Sequence, residues 1–151
     1  MNSSEPSGRT DLSFKLNRVL ANPVFLCLLL GAVTLAVYWP VIHCDFVNYD
    51  DNDYFTSNTH VLGGLTPRPI AWAFTTGYTG NWHPLTWLTL MLDVDLFGPG
   101  PAGPHATNLM FHLANTVLLF LLLRQLTRAT RRSALVAALF ALHPLHVESV
   151  I

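Results

Sequence analysis

The stretch Tyr49-Asp50-Asp51-Asn52-Asp53 places three carboxylates within five residues. A carboxylate can take a proton from a hydroxyl as a general base, or hold a hard cation such as calcium. Asp and Asn also favour turns, because their side chains hydrogen-bond the local backbone. The stretch lacks the glycine and the distal glutamate of an EF-hand loop. A second cluster closes the chain in "ALHPLHVESV", residues 141–150, with His143, His146 and Glu148. Two imidazoles and an acid are metal-ligand types, but their spacing is not that of a known zinc motif. His143 and His146 share a face if the helix continues, and Pro144 works against that continuation. A third set, His105, Asn108, His112 and Asn115, is spaced by three, four and three and shares one helix face. At bilayer depth such groups either face a cavity or hydrogen-bond one helix to another.

The elements that carry these groups are apolar. Half of the 151 residues are hydrophobic and 11% are charged, against about a quarter charged in a soluble domain. Residues 23–42, "PVFLCLLLGAVTLAVYWPVI", contain no charge and suffice to cross a hydrocarbon core of roughly 30 Å. Tyr38 and Trp39 near the end of this run fit an interfacial aromatic belt. The run is long for a signal peptide and has no clean small-x-small cleavage site. Residues 105–124 form a second expected span and 134–151 a third, cut short by the chain end. Residues 1–22 read as a polar tail and 125–133 as an Arg-rich turn. Cys27 and Cys44, at opposite ends of the first span, lie roughly 25 Å apart on a helix, too far for a disulfide.

Charge orients the spans. Arg9, Lys15, Arg18, Arg124, Arg128, Arg131 and Arg132 fall on one side, and Arg68 alone on the other. By the positive-inside rule the N-terminus and the Arg-rich turn are cytoplasmic, and 43–104 is extracytoplasmic. That outer loop holds six of the nine acids, from Asp45 to Asp95. It is too long for a plain connector and too aromatic for disorder. Surface helices are expected near 69–75 and 84–96. In the latter, Leu85, Leu88, Leu92 and Leu96 suggest an amphipathic helix lying on the membrane.

Four segments together resemble one family. They are "DFVNYDDNDYF" after the first span, "NWHPLTWLTLMLDVDLFG" before the second, "PHATNLMFHLANTVLLFLLL" within it and "ALFALHPLHVESV" at the third. They resemble the transmembrane-and-tetratricopeptide-repeat proteins, relatives of protein O-mannosyltransferases with the GT-C fold. The resemblance implies an all-α integral membrane protein, here the N-terminal part of a GT-C polytopic helical bundle in a bacterial inner membrane. It implies a membrane glycosyltransferase that moves a sugar from a polyprenyl-phosphate donor to protein Ser/Thr hydroxyls outside the cytoplasm. The catalytic acid of such enzymes maps onto Asp50 or Asp51. Candidates for holding the donor phosphate are Arg68, His83, His143 and His146, with Glu148 beside them. Animal relatives often carry Arg where His83 stands, and a neutral imidazole is the weaker anion partner. The implied partners are the bilayer, the lipid-linked sugar and a protein acceptor, with no nucleic acid. A divalent cation stays open as a cofactor. Rival readings are a lipid or glycan acceptor, and a transporter or scaffold whose polar stripe lines a pathway.

The charge asymmetry makes the first testable statement. In a background lacking Cys27 and Cys44, His60→Cys should react with a membrane-impermeant thiol reagent in intact cells, and Thr130→Cys should not. The reverse pattern overturns the topology.

Overall fold

The computed structural model describes residues 21–47, 49–147 and 150. Among these the chain is all-α, with six α-helices joined by 3-10 and π turns and no strand. Helix α1 spans Pro23–Tyr38, α2 Thr59–Leu62, α3 Pro67–Thr75, α4 Pro84–Phe97, α5 Ala102–Thr127 and α6 Thr130–Ala141. The chain divides into two compact units, with the division falling after Tyr38 and, within α5, after Met110.

In the first unit α1 packs against α6. Asn22 caps α1, its side-chain oxygen accepting from the Val24 and Phe25 amides at 2.9 and 3.3 Å, and Pro23 occupies the first turn, where a missing N–H costs nothing. The buried stripe of α1 is Leu26, Leu30, Thr34 and Tyr38, one residue in four. Leu26 and Leu30 form one core with Phe120 of α5 and Ala134 and Ala137 of α6. The buried face of α6 is Ser133, Ala134, Ala137 and Ala141, all small, which lets backbones approach closely. Hydroxyls inside these helices turn back on their own backbone. Thr34 donates to the Leu30 carbonyl at 2.7 Å and Thr116 to that of His112 at 2.9 Å.

Among the described residues two segments have the length and composition to cross a membrane, Pro23–His43 and Ala102–Thr127. Only 28% and 22% of their apolar windows are buried within the protein. The core helix of a soluble protein would be mostly covered, so this exposure favours a hydrocarbon surrounding. The expected spans are 23–42 and 105–124; the apolar helical segments run over Pro23–His43 and Ala102–Thr127.

The expected third span differs. Helix α6 begins at Thr130, four residues early, and stops at Ala141 instead of running toward 151. Its 12 residues rise about 18 Å, short of the roughly 30 Å hydrocarbon thickness. Pro144 is the physical reason, because it has no N–H to continue the ladder and its ring disfavours helix in the residue before it. Pro144–His146 form a 3-10 turn instead. The Arg-rich turn is also tighter than 125–133. Only Arg128 and Ala129 separate α5 from α6. Arg128 takes a left-handed conformation with φ of 55°, and its amide closes on the Arg124 carbonyl at 2.9 Å. This ends α5 the way a glycine commonly does.

The second unit is the outer loop with the first turns of α5. Its core is Phe55, Val61, Ala73, Trp87 and Met91. Helix α4 leaves most of its leucine stripe uncovered. Leu85 and Leu96 are 73% and 65% exposed and Leu92 is also exposed, while Trp87 and Met91 carry the packing on the other side. Apolar residues therefore lie on both the packed and the uncovered sides of the helix, with Thr86 and Asp95 also exposed. Near its end, the Asp95 carboxylate accepts from the Leu65 amide at 3.0 Å. Gly64 has φ of +65°, and any Cβ there would collide with that carboxylate, so both conformation and space call for glycine.

The small-residue face of α6 yields a stability prediction. Ala137 is fully buried against Leu26, Leu30 and Phe120. Ala137→Leu should overpack this seam and lower stability by about 1–3 kcal/mol, read as a lower melting midpoint in detergent. An unchanged midpoint would show that α1 and α6 do not depend on close approach.

Candidate functional site

The acidic stretch folds as a turn. The Asp51 carboxylate accepts from the Val47 amide at 2.7 Å, and Asp51 precedes a single turn of π-helix over Asn52–Thr56. The Asp50 carbonyl accepts from the amides of Asp53 and Tyr54, both at 3.0 Å. This is the local hydrogen bonding that makes Asp a turn residue. It also orients the carboxylates. Asp50 is exposed and Asp51 half-buried, so the turn displays acids at a surface.

The turn is anchored by aromatic rings. Phe55 is buried in the core of the unit. Tyr54 stacks on His83 and on Trp87, with ring centroids 5.6 and 5.1 Å apart. Trp72 meets Trp87 at 5.1 Å, and His60 stacks on Trp72 at 4.5 Å, nearly parallel. His83 occupies the N-cap position of α4, ahead of Pro84. One ring, Tyr54, thus joins two of the expected site elements, the acidic turn and His83. The Nε2 atom of His83 is buried without a hydrogen-bond partner, and so is Nε1 of Trp87. Beside His83 opens a cavity of about 460 Å³, lined by Phe74, Trp82, Pro84, Leu85 and Thr86. The Trp82 indole is held by a 3.0 Å bond from Nε1 to the Phe74 carbonyl. Arg68 is exposed in the first turn of α3.

The first unit holds the other expected histidines. His143 caps the 3-10 turn, its Nδ1 accepting from the Leu145 amide at 3.2 Å. His146 lies 5.9 Å from His143, 4.5 Å from Phe140 and 5.8 Å from His112, measured between ring centroids. Glu148 lies outside the described residues. Among the described residues no three His, Cys, Asp or Glu side chains come together as a cation site. Along the polar face of α5 the residues part company. His105 and His112 are buried, whereas Asn115 is exposed.

Sequence reasoning missed one buried acid. Asp93 is 2% exposed. One of its oxygens accepts from the Thr107 hydroxyl at 2.6 Å, and the other has no partner. Burial pushes the Asp93 carboxyl above its ordinary value, and the Thr107 bond pulls the other way. The signal was weak, since Asp93 stands two residues from the exposed Asp95 in the same helix and nothing in the sequence separates the two.

No family model and no solved structure matches the chain. Curated proteins do. The chain is 33% identical over 130 residues to the protein O-mannosyl-transferase Tmtc1 of Drosophila melanogaster, covering 80% of this chain and 15% of that protein. It is 30% identical over 135 residues to human protein O-mannosyl-transferase TMTC3, covering 83% of this chain and 14% of the relative. It is 30% identical over 162 residues to human TMTC4, covering 93% and 22%. The chain therefore spans between a seventh and a quarter of the length of these relatives.

Asp93 gives a pH prediction. Its pKa is raised in the folded state, so folding favours the protonated acid. The stability this contributes is fully present below the ordinary value of 3.8 and is lost as pH rises through the raised folded value. Asp93→Asn keeps an acceptor for Thr107 and carries no charge. Between about pH 4 and about pH 7 the wild-type melting midpoint should fall relative to that of Asp93→Asn. Parallel curves would mean that the Asp93 carboxylate is solvated.

Proposed function

The chain belongs with the Tmtc O-mannosyl-transferases, to which it is homologous over most of its length, and on that premise we propose that it is the acid-bearing membrane portion of a glycosyltransferase. The reaction moves a sugar, mannose by analogy with the relatives' name, from a polyprenyl-phosphate donor to a protein Ser or Thr hydroxyl on the extracytoplasmic side. The bundle is of the GT-C type, and the cytoplasmic N-terminus follows from the charge asymmetry. A bacterial inner membrane is the proposed location.

The observation that carries this reading, beside the homology, is the acidic turn clamped to His83 through Tyr54. A hydroxyl is a poor nucleophile until a base takes its proton. Asp51, with Asp50 beside it, is assigned that step. The hydroxyl oxygen then bonds to the anomeric carbon as the bond from that carbon to the phosphate oxygen breaks, and the electron pair leaves on the phosphate. The departing lipid phosphate needs hydrogen-bond donors or positive charge. His83, His143, His146 and Arg68 are assigned to it, and Glu148 to the same donor-binding set. A divalent cation, where one takes part, would offset phosphate charge. The exposed leucines of α4 fit a helix that rests on the bilayer surface, which would keep the base level with the head group of a membrane-bound donor.

The acids separate turn from catalyst. Asp51→Asn preserves an acceptor for the Val47 amide but cannot take a proton. Loss of a general base costs about a hundred- to ten-thousand-fold in rate. In the full-length protein Asp51→Asn should abolish transfer from a polyprenyl-phosphate mannose while donor binding persists. Near-normal rates in both Asp50→Asn and Asp51→Asn would leave the stretch as a turn and sink the catalytic assignment.

A further inference from the structure

We propose that His112 is a positioning residue for the imidazole pair His143 and His146, acting by holding the C-terminal end of α6. Its functional consequence rests on the reading above, in which that pair meets the donor phosphate. The last carbonyls of a helix have no partner within it. Where water is excluded, each must find another donor or cost free energy. At the end of α6 the accounts are unusual. In a continuing helix the Phe140 carbonyl would accept from residue 144, but Pro144 has no N–H, and the His143 amide donates to it instead at 3.4 Å. The Ala141 carbonyl would accept from the Leu145 amide, but that amide donates to Nδ1 of His143 at 3.2 Å.

The Ala141 carbonyl is therefore left over, on a residue that is 1% exposed. His112 meets it from the middle of α5, with Nε2 3.0 Å from the carbonyl oxygen. A carbonyl only accepts, so Nε2 must carry the hydrogen, and this fixes the tautomer of a neutral ring. The ring itself is held between Tyr38, edge-on at 5.1 Å, and Phe140 at 5.5 Å. Two histidines thus split the hydrogen bond that a continuing helix would have made. His143 takes the amide and His112 takes the carbonyl. The result is a fixed point at which the chain leaves the helix, with the His146 ring resting on Phe140 beside His112.

Two variants test this in the full-length protein in nanodiscs. His112→Phe keeps a ring against Tyr38 and Phe140 but has no N–H. His112→Gln keeps an N–H donor at comparable reach. Amide exchange across residues 142–147 should quicken about fivefold to tenfold in His112→Phe, the size of one lost neutral hydrogen bond. Exchange in α1 and the first turns of α6 should stay unchanged, and His112→Gln should restore the turn. Unchanged exchange at 142–147 in His112→Phe overturns the proposal. So does faster exchange spread over α1 and α6 together, which is the mark of lost packing. The kinetic arm reads the function. KM for a polyprenyl-phosphate mannose should rise about fivefold to tenfold in His112→Phe, with kcat within about twofold. A loosened turn with an unmoved KM would uphold the positioning role and overturn the assignment of His143 and His146 to the donor phosphate.

Discussion

In hydrocarbon a polypeptide backbone can satisfy its amides and carbonyls only with its own groups. That constraint organises the first unit. It makes the long apolar segments helices, and it makes helix ends the expensive places. α1 begins on an asparagine cap and a proline. α5 ends on a left-handed Arg128, and α6 ends on bonds supplied by side chains rather than by solvent. Packing then needs little. With apolar surroundings on the outside, helices gain from close approach rather than from hiding oily surface, and a face of alanines against two leucines and a phenylalanine provides it.

The second unit follows the rules of water more closely. It has a core, built from Trp87, Phe55, Met91, Val61 and Ala73, and it covers that core with short helices. Aromatic rings do most of the joining. Tyr54 connects the acidic turn with the start of α4, and stacked rings hold direction as well as distance. Yet among the described residues the buried side-chain atoms without partners belong to this unit, on His83, Trp87, Asp93 and His105. Buried polar groups are normally satisfied.

The spans could be read from the sequence because their signal is additive. Twenty uncharged residues from Pro23 need no knowledge of partners to be recognised. Two loop helices carried a proline near their starts, Pro67 and Pro84, whereas α2, Thr59–Leu62, carried no such mark and was not expected. What could not be read depends on which side of an element faces a neighbour. The leucines of α4 have helical spacing and suggest a face toward the membrane, but Trp87 and Met91 carry the packing on another apolar side, and periodicity cannot rank two apolar stripes on one helix. The end of α6 was missed for a related reason. Pro144 announced a break, but the apolar run before it gave no sign that the helix would stop three residues short. The joining of the acidic turn to His83 was invisible because Tyr54 and His83 are distant in sequence and neither belongs to a periodic pattern.

The threonines have one more effect. Thr34 and Thr116 each spend their hydroxyl on a carbonyl four residues back, at 2.7 and 2.9 Å. A hydroxyl so occupied has no proton left to offer a neighbour, and what remains outward is chiefly the methyl group. To its surroundings such a residue resembles valine. Scales that score threonine by its free side chain therefore understate how oily these helices are. The same bonds weigh on shape, since a carbonyl shared with a hydroxyl tends to bend the helix that carries it. Sequence changes from threonine to valine at these points would alter curvature more than solubility in lipid.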